Sequence, residues 1–88
     1  MTSADQRKTK AERRAAREQV ATYHEMQLGR LVEHLASAID RFRGGELDAF
    51  DVDAATFQFS RAAKELWKFC NSTNVEITAR AIADDPPI

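Results

Sequence analysis

From Ala21 to Phe42, side chains recur at alternating intervals of three and four residues: Ala21, His24, Leu28, Leu31, Leu35, Ala38 and Phe42. All but His24 are apolar, and this spacing is the seam of a helix that packs against another helix. Val32 and Ile39 widen the seam on one side, while Arg30, Glu33, Ser37, Asp40 and Arg41 make up the opposite, solvated face. The chain before this seam is rich in Ala, Arg, Glu and Gln, all good helix formers. One long helix, or two collinear ones, is therefore predicted over residues 5–43. Gly29 costs about 1 kcal/mol relative to Ala in a helix, and it marks a kink or a close helix crossing. Gly44 and Gly45 end the helix, with Arg41 and Arg43 suited to the negative end of its dipole.

A loop over Glu46 to Asp51 follows, in which Leu47 and Phe50 cap the end of the core. Asp51 or Asp53 serves as N-cap for a second helix over residues 52–71. There Val52, Ala55, Phe59, Ala62, Leu66 and Phe69 repeat the three-four spacing, broadened by Ala63, Trp67 and Cys70. At about 100° per residue these positions span an arc of roughly 160°, more than one partner helix needs. Thr73 and Glu76 have the spacing of a capping box, which predicts a short third helix over residues 74–83. The alternation of Val75, Ile77, Ala79 and Ala81 fits a strand as well, but a lone strand has nothing to pair with. Pro86 and Pro87 block further helix, leaving residues 84–88 as a flexible tail.

The fold class that results is all-α: a long antiparallel helical hairpin with a short third helix. The two main helices differ in length, about 58 Å against about 30 Å at roughly 1.5 Å per residue. Residues 5–22 would therefore project past the hairpin, unpaired. Dimerisation into a four-helix bundle would cover both that projection and the wide arc.

Composition sharpens the shortage of core. Of 88 residues, 43% are hydrophobic, but 15 of those are Ala. Small domains bury a smaller fraction of their surface, so stability as a lone monomer is doubtful. No apolar run approaches the length of a membrane span, and the charged N-terminus lacks the apolar region of a signal peptide. One cysteine, Cys70, excludes an internal disulfide and a cysteine-rich zinc site. A cytoplasmic setting is expected.

The net charge of −1 averages two unlike segments. Residues 1–19 hold six basic and three acidic residues, a basic N-terminal arm of +3; residues 20–88 hold seven basic and eleven acidic, giving −4. The domain reading is accordingly a basic arm, helical or frayed, over 1–19, a helical hairpin over 20–83 and a flexible tail over 84–88. Lys10, Arg13, Arg14 and Arg17 continue the apolar seam backwards, so one face changes from greasy to cationic. Such a stripe can track nucleic-acid phosphates, though no base-reading motif or aromatic platform accompanies it. It can equally dock on the acidic loop of a second subunit, which carries Glu46, Asp48, Asp51 and Asp53, or lie solvated.

Catalytic and metal chemistry find no pattern. With Asp51 at position 1 of a calcium loop, Ala55, Thr56 and Ala62 fall where a ligand, a glycine and a glutamate are needed. His24 and His34 are ten residues apart and lack the spacing of a helical metal pair. His24 within the seam could set helix register instead. Cys70, one turn from Leu66 and Trp67, reads as a small buried hydrophobe without a base to activate it. No cofactor, metal or catalytic residue is assigned, and the protein is not expected to be an enzyme.

The stretch Arg61-Ala62-Ala63-Lys64-Glu65-Leu66-Trp67-Lys68-Phe69-Cys70, preceded by the loop from Gly44 to Asp51, resembles short helical proteins of actinobacteria that have no established activity. The resemblance implies no functional residue. The expectation from the residues is an interaction module that self-associates as a homodimer, with Leu28, Leu31, Leu35, Phe42, Phe59, Leu66 and Phe69 carrying core and interface. The alternatives are a nucleic-acid-associated protein using the basic arm, or a regulatory, antitoxin-like subunit whose partner is another protein.

Overall fold

A computed structural model describes residues 9–71 and 74–84. Three helices follow one another, α1 (Lys10–Arg43), α2 (Ala49–Asn71) and α3 (Val75–Asp84), with no strand among the described residues. The helical hairpin and the short third helix are both present.

The helix boundaries rest on side-chain caps. Thr9 is extended, and its hydroxyl accepts a hydrogen bond from the Glu12 N–H at 3.0 Å. The Glu12 carboxylate accepts one from the Thr9 N–H at 2.8 Å. This capping box satisfies two donors that the first turn leaves open. It starts α1 at Lys10; residues 5–8, which the predicted helix also included, lie outside the described residues.

At the other end Gly45 takes φ +84°. The chain turns back there with the Gly44 N–H donating to the Asp40 carbonyl and the Glu46 N–H to the Arg41 carbonyl. α2 begins earlier than the apolar pattern suggested, with Asp48 rather than Asp51 or Asp53 as its cap. Asp48 Oδ1 accepts from the Asp51 N–H at 2.9 Å, and Asp51 Oδ2 accepts from the Asp48 N–H at 3.0 Å. Two aspartates three apart form a reciprocal cap, which the pattern of greasy positions alone does not reveal. Phe50 consequently lies in the first turn of α2 and, at 84% exposed, does not cap the core. The third helix is capped by Asn74, whose Oδ1 accepts from the Glu76 N–H at 2.7 Å; Thr73 lies outside the described residues.

The expected projection of residues up to 22 past the hairpin is overturned. α3 folds back and packs chiefly on α1. Ala16 and Val20 of α1, Cys70 of α2 and Ala79 and Ile82 of α3 form the buried cluster, with Tyr23, Leu66 and Val75 packed around it. Gln19 Nε2 donates to the Ala79 carbonyl at 3.1 Å and ties α3 down. The core therefore uses Val20, not Ala21, which is exposed. Ten residues of α3 make up much of the length by which α1 exceeds α2.

Along the rest of the hairpin no apolar side chain is fully buried. Leu28, Leu31, Leu35, Phe59 and Leu66 are all half-buried. Gly29 marks no close crossing, since a Cβ there would meet nothing within 4 Å. Gly29→Ala should therefore raise stability by about 0.5–1 kcal/mol, read as a shift of the urea midpoint at unchanged m-value. Gln27 Nε2 is buried and has no hydrogen-bond partner. A donor left unpaired costs about 1–3 kcal/mol, so Gln27→Leu should stabilise the protein in the same assay.

Candidate interaction surface

The geometry of the hairpin divides its surface into two flanks. On one, the rings of Tyr23 and Phe69 meet with centroids 5.7 Å apart and planes inclined at 58°, an edge-tilted contact favoured between aromatic rings. This contact fixes which way each helix is turned. Positions rotated the other way about α1 and α2 must share the second flank. At about 100° per residue, Leu28, Val32, Leu35 and Ile39 fall within an arc of about 60° there, and Ala63 and Trp67 stand beside them on α2.

This second flank is apolar and open. Val32 is 47% exposed and Trp67 59%, while Leu28, Leu35 and Ile39 are half-buried. α3 does not cover it. Two grooves bordering α3 are lined on α1 by Glu12, Ala15, Gln19, Tyr23 and Met26, positions on the opposite side of α1; a third is lined by Arg17, Ala21 and His24 together with Cys70, Asn71 and Val75, so the start of this face borders α3.

The residues expected to form core and interface are thus split. Leu31, Phe59 and Leu66 lie along the line between the two helices. Leu28 and Leu35 belong to the open flank, and so does Phe42, 44% exposed near the loop. Phe69, 41% exposed, stands on the other flank against Tyr23. One exposed aromatic has no place in the apolar spacing. Phe57, 68% exposed, lies seven residues from Phe50 on the side of α2 turned away from α1. Their neighbours on that side, Arg61, Lys64 and Lys68, marked it as solvated; only the seven-residue spacing of the two rings hinted otherwise.

Lys10, Arg14 and Arg17 are exposed and Arg13 is half-buried. The four lie within about 100° of one another around α1, on the same face as Leu28 and Val32. They belong to the helix that carries Ala16 and Val20 into the core. The acidic residues of the loop have local partners. Glu46 pairs with Arg41 at 3.1 Å, and Asp40 lies 3.9 Å from Arg43; Asp48 and Asp51 cap α2. Such exposed pairs are worth about 1 kcal/mol or less.

His24 is half-buried and His34 exposed. No group of three His, Cys, Asp or Glu residues among those described is placed to hold a metal ion, and no described helix is long and apolar enough to cross a membrane. The chain matches no protein-family model, no curated protein and no solved structure. What the molecule displays is an apolar flank continuous with a cationic stripe.

Cys70 is buried in the three-helix cluster, and burial pushes its thiol above the ordinary value of 9.0 by penalising the thiolate. The native state then keeps a proton that the unfolded chain releases. This contribution to stability is complete below about pH 9 and is lost as pH rises through the raised native value. In urea unfolding between pH 7 and 10, wild type should lose more stability than Cys70→Ala. A thiol reagent should label Cys70 far more slowly in the native protein than in urea.

Proposed function

We propose that this protein is a non-enzymatic helical interaction module that works as a homodimer, with two hairpins closing a four-helix bundle. The carrying observation is the open flank. Val32 and Trp67 stand about half in water, and Leu28, Leu35 and Ile39 beside them are only partly covered.

A standard interface covers about 800 Å² on each partner. Half-buried leucines at helical spacing are also what a second pair of helices would seal.

Dimer stability follows mass action. A tenfold rise in protein concentration should raise Tm by roughly 4 °C for a dimer of this size, and Val32→Glu should abolish that dependence. A Tm independent of concentration, together with a monomer in sedimentation equilibrium at 100 µM, on the order of the concentrations such an assay uses, would overturn the reading.

A further inference from the structure

We infer that the two copies meet through the Leu28–Val32–Trp67 flank in antiparallel orientation, so that the cationic start of α1 in one copy lies over the loop end of the other. This rests on the self-association proposed above and adds its geometry and the purpose of the cationic stripe.

Two hairpins stacked flank to flank can be related by a two-fold axis along the helices or by one across them. An axis along the helices places the cationic end of one copy beside that of the other, and the acidic ends likewise. An axis across them superposes α1 on α1 with opposite direction and brings unlike ends together. The charges choose between these. Over residues 10–18 of α1 there are four basic and two acidic residues, a net of +2. Over residues 40–53 there are five acidic and two basic, a net of −3, and both of those arginines, Arg41 and Arg43, have their own carboxylate nearby in Glu46 and Asp40.

The register agrees with the charges. Along the open face of α1, Arg17, Ala21 and His24 lie as far before Leu28 as Ile39, Leu35 and Val32 lie after it. An axis through Leu28 therefore sets Ala21 on Leu35 and Arg17 on Ile39. Within one hairpin Tyr23 meets Phe69, and Arg43 and Ala49 flank the loop. The same register puts Asp53 level with Ile39. Asp53 is exposed, and around α2 it lies about 40° beyond Trp67, at the outer rim of the open flank next to Lys64. Arg14 and Arg17 of one copy thus come to lie beside Asp53 of the second copy, while Leu28 meets its own symmetry mate. Like charges would repel in the other arrangement, which is how such pairs fix orientation.

Single-cysteine variants in a Cys70→Ala background test this, with sedimentation equilibrium run in parallel. If Cys70→Ala does not fold, Cys70 is kept and the wild-type chain serves as the blank. Mild oxidation should convert most Leu28→Cys protein to a disulfide-linked dimer. Arg17→Cys and Ile39→Cys should cross-link when mixed and scarcely at all alone. Arg14→Glu with Arg17→Glu should weaken dimerisation at least tenfold at low salt, and Asp53→Arg added to that pair should recover part of the loss. A dimer that sediments normally but gives no mixed Arg17–Ile39 cross-link overturns the orientation and leaves self-association standing. A monomer at every concentration overturns both. If the double Arg variant dimerises as tightly as wild type yet loses a salt-dependent affinity of wild type for duplex DNA, the stripe serves nucleic acid and the inference fails.

Discussion

A side chain on a helix leaves water completely only where other helices close around it from more than one side. In this molecule that happens at one place, where α3 folds back over the junction of α1 and α2. Ala16, Val20, Cys70, Ala79 and Ile82 are buried there, and Thr78 beside them. The other apolar residues described in the hairpin are half-buried at most. The stability of the chain is therefore concentrated at the end far from the loop, where small side chains let three helices approach and the Gln19 side chain holds the α3 backbone.

That closure also decides which surface remains. α3 is too short to run the length of the hairpin, and it lies against the Gln19–Met26 side of α1. The Tyr23–Phe69 contact belongs to the same side. Among the described residues, nothing lines a groove with the Leu28–Ile39 stretch of the opposite flank, although its residues continue the same apolar spacing. The cationic stripe begins on that same face. Greasy and charged positions thus form one surface along α1, and its unlike ends give any symmetric contact a preferred direction. Phe50 and Phe57, on the outward side of α2, lie on neither flank of the hairpin.

Much of this was legible from the residues. Spacings of three and four located both long helices, because a seam must return to one face every turn. Glycines near residue 44 and a carboxylate three after residue 73 located the breaks between helices. The start of α2 was not legible, because Asp48, Asp51 and Asp53 are chemically equivalent caps until the backbone shows that the first two bond each other. The seam of α1 was shifted near its start, with Ala21 taken for Val20, since the helix there faces α3 as well as α2 and the two partners pull the buried arc around. The projection of α1 past the hairpin followed from comparing lengths of two helices. A third helix was foreseen, but spacing along a chain says nothing about where an element docks, and α3 docks on the stretch that seemed bare. The apolar flank, with Val32 and Trp67 at its edges, was contained in the excess width of both seams; which flank stays open required α3.

The lone glycine and the lone glutamine of the seam region can be read together. Gly29 faces open space, and Gln27 keeps a donor buried without a partner. Each makes the middle of α1 less stable than Ala or Leu would. Both lie next to Leu28, the position about which the open face is symmetric. A buried polar group in a helical seam favours one register over its competitors at a cost in stability. A slip of α2 by one turn would leave the greasy spacing nearly intact, so apolar packing alone distinguishes such registers poorly. In this hairpin the discrimination comes from elements that cannot slip: the reciprocal Asp48–Asp51 cap, the Gly45 turn, and α3 anchored through Gln19. The register these impose puts Asp53 level with Ile39, at the end of the hairpin away from Arg14 and Arg17.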